Sequence, residues 1–129
     1  MDCSNLRALV VDDSSTIRRL MKPILRNMGF KQVDEAEDGA LALELISKNH
    51  FDIIFLDWNM PKTSGIEVLE KLRADERTRL TPVIMVTAEA EQDHILSAIK
   101  AGVTNYIVKP FSENTICKKV EGVLNRCHG

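Results

Sequence analysis

Five side chains stand at points where they could act together: Asp12, Asp13, Asp57, Thr87 and Lys109. They stand just after short apolar runs: Asp12 and Asp13 after Leu9–Val11, Asp57 after Ile53–Leu56, Thr87 after Val83–Val86 and Lys109 after Tyr106–Val108. Three carboxylates brought into one crevice repel, by roughly 4 kcal/mol for each pair about 4 Å apart at an effective dielectric near 20. They stay ionised together only beside positive charge. Lys109 supplies one such charge and leaves an excess of two negatives, which one divalent cation cancels. Oxygen donors without His or Cys suit a hard ion that keeps part of its water, so Mg²⁺ is the expected metal. Mg²⁺ held by one or two carboxylates commonly completes its shell with phosphate oxygens, and this makes phosphoryl transfer the expected chemistry. Asp57 is the candidate nucleophile, since a carboxylate attacking phosphorus gives an acyl phosphate. Lys109 would neutralise phosphoryl oxygens and the Thr87 hydroxyl would donate to one of them, because transfer needs positioning and charge more than covalent help.

The elements that must position these groups alternate. After Leu9–Val11, the residues Ile17, Leu20, Met21, Ile24, Leu25 and Met28 recur at helical steps, and Gly29 marks the stop. A weaker strand is expected at Gln32–Ala36, followed by a helix with Leu41, Ala42, Leu45 and Ile46 inward. Ile53–Leu56 is apolar throughout, and Ser64-Gly-Ile-Glu67 reads as a capping box opening a helix that buries Ile66, Leu69 and Leu72. Val83–Val86 precedes a helix lined by Ile95, Leu96 and Ile99, ending before Gly102. Tyr106–Val108 precedes a last helix lined by Ile116, Val120, Val123 and Leu124. Strands apolar on both faces, alternating with helices, specify an α/β fold: a doubly wound five-stranded parallel sheet with helices on both faces. The flavodoxin-like order 2-1-3-4-5 fits five such units, and it places the crevice at the carboxyl ends of strands one and three, where the acids fall. Pro23 lies inside the first helical pattern, where a kink or an early break is expected.

Each residue also has a plainer reading. Asp12, Asp13, Ser14 and Ser15 could all be N-caps, although a helix uses one. Asp57 could be a loop acid, yet Ser64 already serves the next helix. Lys109 and Thr87 taken singly would be a strand-end lysine and a β-branched strand residue. Their joint placement is what points to a site. His50, His94 and His128 are expected in solvent, the helix-face methionines in the core, and Trp58 either in the core or at a partner contact.

The composition agrees. With 129 residues and 44% hydrophobic content the chain is expected to form a single domain spanning 1–129, with no output domain. A formal charge of −2 offers no footprint for nucleic acid. Cys3, Cys117 and Cys127 are odd in number and make no C-x-x-C pair, so reduced thiols are expected. No leader or membrane-spanning run is readable, and a cytoplasmic location is expected.

V-V-D-D at 10–13, D-W-N-M-P at 57–61, M-V-T-A-E at 85–89 and Y-I-V-K-P-F at 106–111 resemble the receiver domains of two-component response regulators, most narrowly the chemotaxis regulators among them. The likeness runs from about Leu6 to Leu124. The resemblance implies Mg²⁺ on Asp12, Asp13, Asp57 and the backbone carbonyl of Asn59. It also implies a phosphoryl group received on Asp57 from a phosphohistidine of a chemotaxis histidine kinase. Thr87 and Tyr106 would be a coupled switch, and the fourth helix, fifth strand and fifth helix would be the face that meets a flagellar motor switch protein. Asn59 and Glu89 match positions that tune loss of the phosphoryl group, and the Lys109–Pro110 bond is expected to be cis. The implied protein is a monomeric signalling switch, catalysing only its own phosphorylation and dephosphorylation, with a phosphatase as a further possible partner at the first helix. Ser14 departs from the resemblance, standing where familiar chemotaxis regulators carry Phe, and so does Pro23.

Other readings fit less well. A lone receiver can also serve as a relay intermediate or a phosphate sink. A phosphohydrolase of the haloacid dehalogenase type would need D-x-D at one strand end, so that both acids face one way. A flavin or nucleotide module would need Gly, Ser or Thr in the first loop, where Asp12 and Asp13 would repel a phosphate.

Overall fold

The apolar runs form the middle of the molecule. The computed structural model describes residues 3–60, 63–88 and 92–128, with the side chains of Gln92, His94 and residues 125–128 also outside the description. In chain order the elements are β1 (Arg7–Val11), α1 (Ser15–Asn27), β2 (Gln32–Ala36), α2 (Gly39–Lys48), β3 (Ile53–Asp57), α3 (Gly65–Ala74), β4 (Val83–Thr87), α4 (Gln92–Lys100), β5 (Asn105–Val108) and α5 (Glu113–His128). The strands pair in parallel in the order β2-β1-β3-β4-β5. The reversal of strand order therefore falls between β1 and β3, as the alternation of elements requires.

Side-chain alternation along the strands sorts the core into two layers. Ala8, Val10, Ile53, Phe55, Ile84, Val86 and Ile107 face α1 and α5, meeting Met21, Leu25, Ile116, Val120 and Val123. Leu9, Val11, Ile54, Leu56, Val83 and Met85 face α2, α3 and α4, meeting Ala42, Val68, Leu69, Leu72 and Ala98. Every residue of β3 and β4 is buried. Each fully buried Leu, Ile, Val or Phe contributes about 1.5–3 kcal/mol, so the central strands are the firmest support for whatever stands at their ends.

Three details differ from expectation. The helix α1 runs unbroken through Pro23. Pro23 is exposed, and the carbonyl of Arg19 that loses its helical partner lies on the same wet side, where water can satisfy it. Leu20, expected inward, is 53% exposed. In α4 the apolar face is turned outward: Leu96 is 48% and Ile99 58% exposed, Ile95 is half-buried, and Ala98 is the buried residue among the described side chains. A small residue lets α4 lie close on the sheet without burying its larger neighbours.

The helix ends follow local chemistry. Ser14 caps α1 by accepting from the Ile17 N–H at 3.3 Å, Asp38 caps α2, and Ser64 caps α3 by accepting from the Glu67 N–H. Gly29, at φ 111°, ends α1, and its N–H donates to the Arg26 carbonyl. At the end of α3, Arg73 donates to the carbonyls of Gly102, Thr78 and Thr81, at 2.8, 3.3 and 2.8 Å, and to the Thr104 hydroxyl. One guanidinium thus ties together the two connections that flank β4 and β5.

Candidate functional site

The site is assembled by strand ends. β1 runs out at Val11, so Asp12 and Asp13 leave the sheet at its carboxyl edge, and the Asp12 N–H still pairs with the Ala36 carbonyl of β2 at 3.1 Å. Asp57 and Thr87 are the last residues of β3 and β4. The Lys109 N–H donates to the Thr87 carbonyl at 2.7 Å, which extends the β5 edge by one residue and aims the lysine across the sheet end. Among the described residues the buried polar side chains are Asp12, Asp57 and Thr87, at 2%, 4% and 4% exposure. Isolated buried charges are costly, so their concentration at one point marks that point as functional.

Carboxylate oxygens of Asp12, Asp13 and Asp57 lie within 4.8 Å of one another. Asp12 and Asp57 are buried and Asp13 is exposed, which leaves the cluster open on one side. The Lys109 ammonium donates to Asp12 Oδ2 at 3.0 Å and to Asp57 Oδ1 at 3.3 Å. The Ser14 N–H donates to Asp12 Oδ1 at 2.9 Å. Because Ser14 is the cap, the acids before it are released from capping and turn into the crevice.

The electrostatics show what this crowding does. Burial, then the Asp12 carboxylate, push the Asp57 pKa up from 3.8 to about 6, against the attraction and hydrogen bond of Lys109. Burial alone would lower the Lys109 pKa, but its hydrogen bond to Asp12 and the pull of both carboxylates outweigh burial and raise it. One ammonium does not balance three carboxylates. The remaining demand is for a compact positive charge coordinated by oxygen, and the donor set fits a hard divalent cation.

Tyr106 is half-buried on β5, in register with Met85 and on the face shared by Thr87. The Lys119 ammonium sits 5.2 Å from the Tyr106 ring centroid and donates to Asn105 Oδ1, which also accepts from the Tyr106 N–H. Asn59 is exposed two residues beyond Asp57. Glu89 lies outside the described residues. Trp58 is half-buried and packs on the α2–α4 layer of the core. The Lys109–Pro110 bond is cis. His50 is exposed beside Asp52. Cys3 is buried, and burial with Glu113 and Glu121 nearby pushes the Cys117 thiol up, which keeps it protonated. The sequence reading did not single out Gly65 as part of the site. Its N–H donates to the Trp58 carbonyl at 3.0 Å, so the start of α3 closes on the residue after Asp57.

The response regulator receiver domain family matches residues 8–121, and the chain belongs to that family. Among curated proteins it is 46% identical over 124 residues to the chemotaxis protein CheY of Pseudomonas aeruginosa, covering 96% of this chain and 100% of that protein. It is also 46% identical over 122 residues to chemotaxis protein CheY-3 of Vibrio cholerae, covering 95% and 94%. Among solved structures, chemotaxis protein CheY4 of Vibrio cholerae superposes with a TM-score of 0.86 at 34% identity, covering 92% of this chain and 98% of that one. The chain is thus a receiver domain of the CheY type, a class of signalling proteins and not of classical enzymes. Receiver domains bind Mg²⁺ at an acidic pocket, and this chain carries an Asp cluster at the carboxyl ends of β1 and β3. No helix among the described residues is long and apolar enough to cross a membrane.

Proposed function

We propose that residues 1–129 work as one cytoplasmic, monomeric receiver unit that accepts a phosphoryl group on Asp57 and signals by changing the face it offers a target. The observation that supports this most is that, among the described residues, the buried polar side chains are Asp12, Asp57 and Thr87, with Lys109 bridging the two acids. Asp12, Asp13, Asp57 and the Asn59 carbonyl would hold Mg²⁺, which when bound neutralises the crowded carboxylates and the incoming phosphoryl oxygens.

The chain's own groups divide the work. Above about pH 6 the Asp57 carboxylate is ionised. One of its oxygens forms the new O–P bond while the P–N bond of a kinase phosphohistidine breaks, its electron pair leaving with the imidazole. Lys109, already 3.3 Å from Asp57, meets the charge that arrives. The Thr87 hydroxyl, buried at the end of β4, donates to a phosphoryl oxygen. Phosphorylation adds about −1.5 to −2 charge and three acceptor oxygens. Matching them draws Thr87 toward the phosphate, and Tyr106, on the same face of the neighbouring strand, follows inward. The surface that changes is that of α4, β5 and α5, where exposed Leu96 and Ile99 offer an apolar contact for a flagellar motor switch protein. Asn59 and Glu89 tune loss of the phosphoryl group.

The test is an intact mass after incubation with Mg²⁺ and acetyl phosphate, beside Asp57→Asn. One labile phosphoryl group, lost in the variant and without Mg²⁺, is the expected result; no adduct and no beryllofluoride binding would overturn the reading. For the switch, Thr87→Ala should still be phosphorylated while losing its response to the target, and normal signalling by it would refute the Thr87–Tyr106 coupling.

A further inference from the structure

We propose that Gly65, seconded by Gly39, is a positioning residue for the phosphoacceptor: its missing side chain lets α3 close directly on the main chain of Asp57 and Trp58. The inference rests on the reading of Asp57 as phosphoacceptor. Gly65 is buried as the first residue of α3, and its backbone has no positive φ that would require glycine. Alanine would favour the helix there. What glycine supplies at 65 is therefore space.

That space is occupied by main chain. A Cβ at position 65 would overlap the Asp57 carbonyl oxygen and come within 3.0 Å of the Asp57 carbonyl carbon and of Trp58 Cα. A side-chain obstacle can rotate away, but these atoms belong to the last residue of β3 and its successor. On the opposite side the Trp58 N–H is held by the Val86 carbonyl of β4 at 3.0 Å, and the Trp58 carbonyl is held by the Gly65 N–H at 3.0 Å. The Asp57–Trp58 main chain is thus gripped between β4 and the first turn of α3. Any side chain at 65 must push α3 away or displace the end of β3, and with it the carboxylate that meets Lys109 at 3.3 Å.

Gly39, the first residue of α2, reaches the same connection from another direction. A Cβ there would come 2.8 Å from Val68 Cγ2 and 2.9 Å from Thr63 Cβ, both of them side-chain atoms that can yield in part. Gly122, on α5, has nothing within 4 Å of the corresponding position. The three glycines form a graded series: main-chain obstruction beside Asp57, side-chain obstruction on the connection after it, and open space far away.

The experiment compares G65A, G39A and G122A with the wild type in Mg²⁺. It reads the limiting rate of phosphorylation by acetyl phosphate, the half-saturating acetyl phosphate concentration, the Mg²⁺ midpoint from Trp58 fluorescence, and the thermal melt. A displacement of about 1 Å at a reacting group costs up to about a hundredfold in rate. G65A should therefore lose about ten- to a hundredfold in limiting rate and bind Mg²⁺ more weakly, at a temperature where its circular dichroism matches the wild type. G39A should fall between, and G122A should be unchanged. A merely structural role for Gly65 would lower the melting temperature alone and leave the Mg²⁺ midpoint and limiting rate of the folded protein in place, which overturns the proposal. Should G65A not fold, G39A decides: a slower rate with native circular dichroism supports the proposal, and an unchanged rate overturns it. A wild type that takes up no phosphoryl group overturns the phosphoacceptor reading and this inference with it. A phosphorylated wild type beside an equally fast G65A overturns this inference alone.

Discussion

Replacing Asp57 by Asn should make the metal-free protein more stable. Asp57 is 4% exposed, and burial followed by the Asp12 charge lifts its pKa from 3.8 to about 6. Folding thus favours the protonated acid. Below about pH 4 both the folded and the open chain bind the proton and the acid costs nothing. As the pH rises from about 4 to about 6 the open chain gives up its proton while the fold must retain it or carry an unfavourable charge, and stability is lost. Above pH 6 the loss is complete, and at 1.36 kcal/mol for each tenfold change in proton affinity it amounts to about 3 kcal/mol. Asn carries no such charge, and Lys109 keeps Asp12 as a partner at 3.0 Å, so its ammonium is not stranded. For a domain of this size the gain corresponds to a rise in Tm on the order of 10 °C. Urea unfolding of both proteins in EDTA, at pH 8 and at pH 4, measures it. D57N should be more stable by about 2–3 kcal/mol at pH 8, with the difference vanishing toward pH 4. Mg²⁺ at a hundred times its Kd should raise the wild type by about 2.7 kcal/mol and close most of the gap. Equal stability at pH 8 in EDTA, or a gain that persists undiminished at pH 4, would refute the claim that the site stores electrostatic strain in Asp57.

Lys109→Ala should leave Asp12 and Asp57 buried and facing each other, destabilising the metal-free protein by about 3 kcal/mol in urea and slowing phosphorylation by acetyl phosphate about a hundredfold. The rate of that phosphorylation at limiting Mg²⁺ should rise with pH to a bend near 6, where Asp57 becomes ionised. Added Mg²⁺ should move the bend to lower pH, and a bend insensitive to Mg²⁺ would show that another group sets it. Ser64→Ala should cost about 1 kcal/mol of stability by removing the α3 cap, read as a lower urea midpoint with an unchanged slope.

The strand ends were the most legible part of the molecule. Continuous apolar runs carry their own evidence of burial, and Asp12, Asp57, Thr87 and Lys109 are conspicuous because a charged or hydroxyl side chain interrupts or follows such a run. The buried face of α5 was readable for the same reason, since Ile116, Val120 and Val123 hold a strict helical spacing. The face of α4 was not. Ile95, Leu96 and Ile99 have the spacing of a core stripe, but Ala98 is the buried residue among the described side chains, and periodicity does not distinguish an apolar face turned to the sheet from one offered to a partner. Of the two outcomes offered for Pro23, the early break does not occur, because on the exposed side of α1 water can satisfy the carbonyl that loses its partner. Gly65 was hidden for a different reason. Close approach of α3 to the Asp57 main chain is a three-dimensional relation, and in sequence the glycine reads only as part of a cap.

Arg73 has a consequence for how sequences of this fold can drift. Three of its acceptors are main-chain carbonyls, at Thr78, Thr81 and Gly102. Every residue type carries a carbonyl, so the hold of Arg73 on positions 78 and 81 does not depend on which side chains stand there, although the Thr78 hydroxyl makes its own bond to the Leu72 carbonyl and Gly102 keeps a positive φ. The burden of that hold falls on one long side chain in α3. Substitutions should thus be tolerated at exposed Arg79 and Leu80 and resisted at Arg73, an uneven permissiveness in which the permissive positions and the strap lie in different elements.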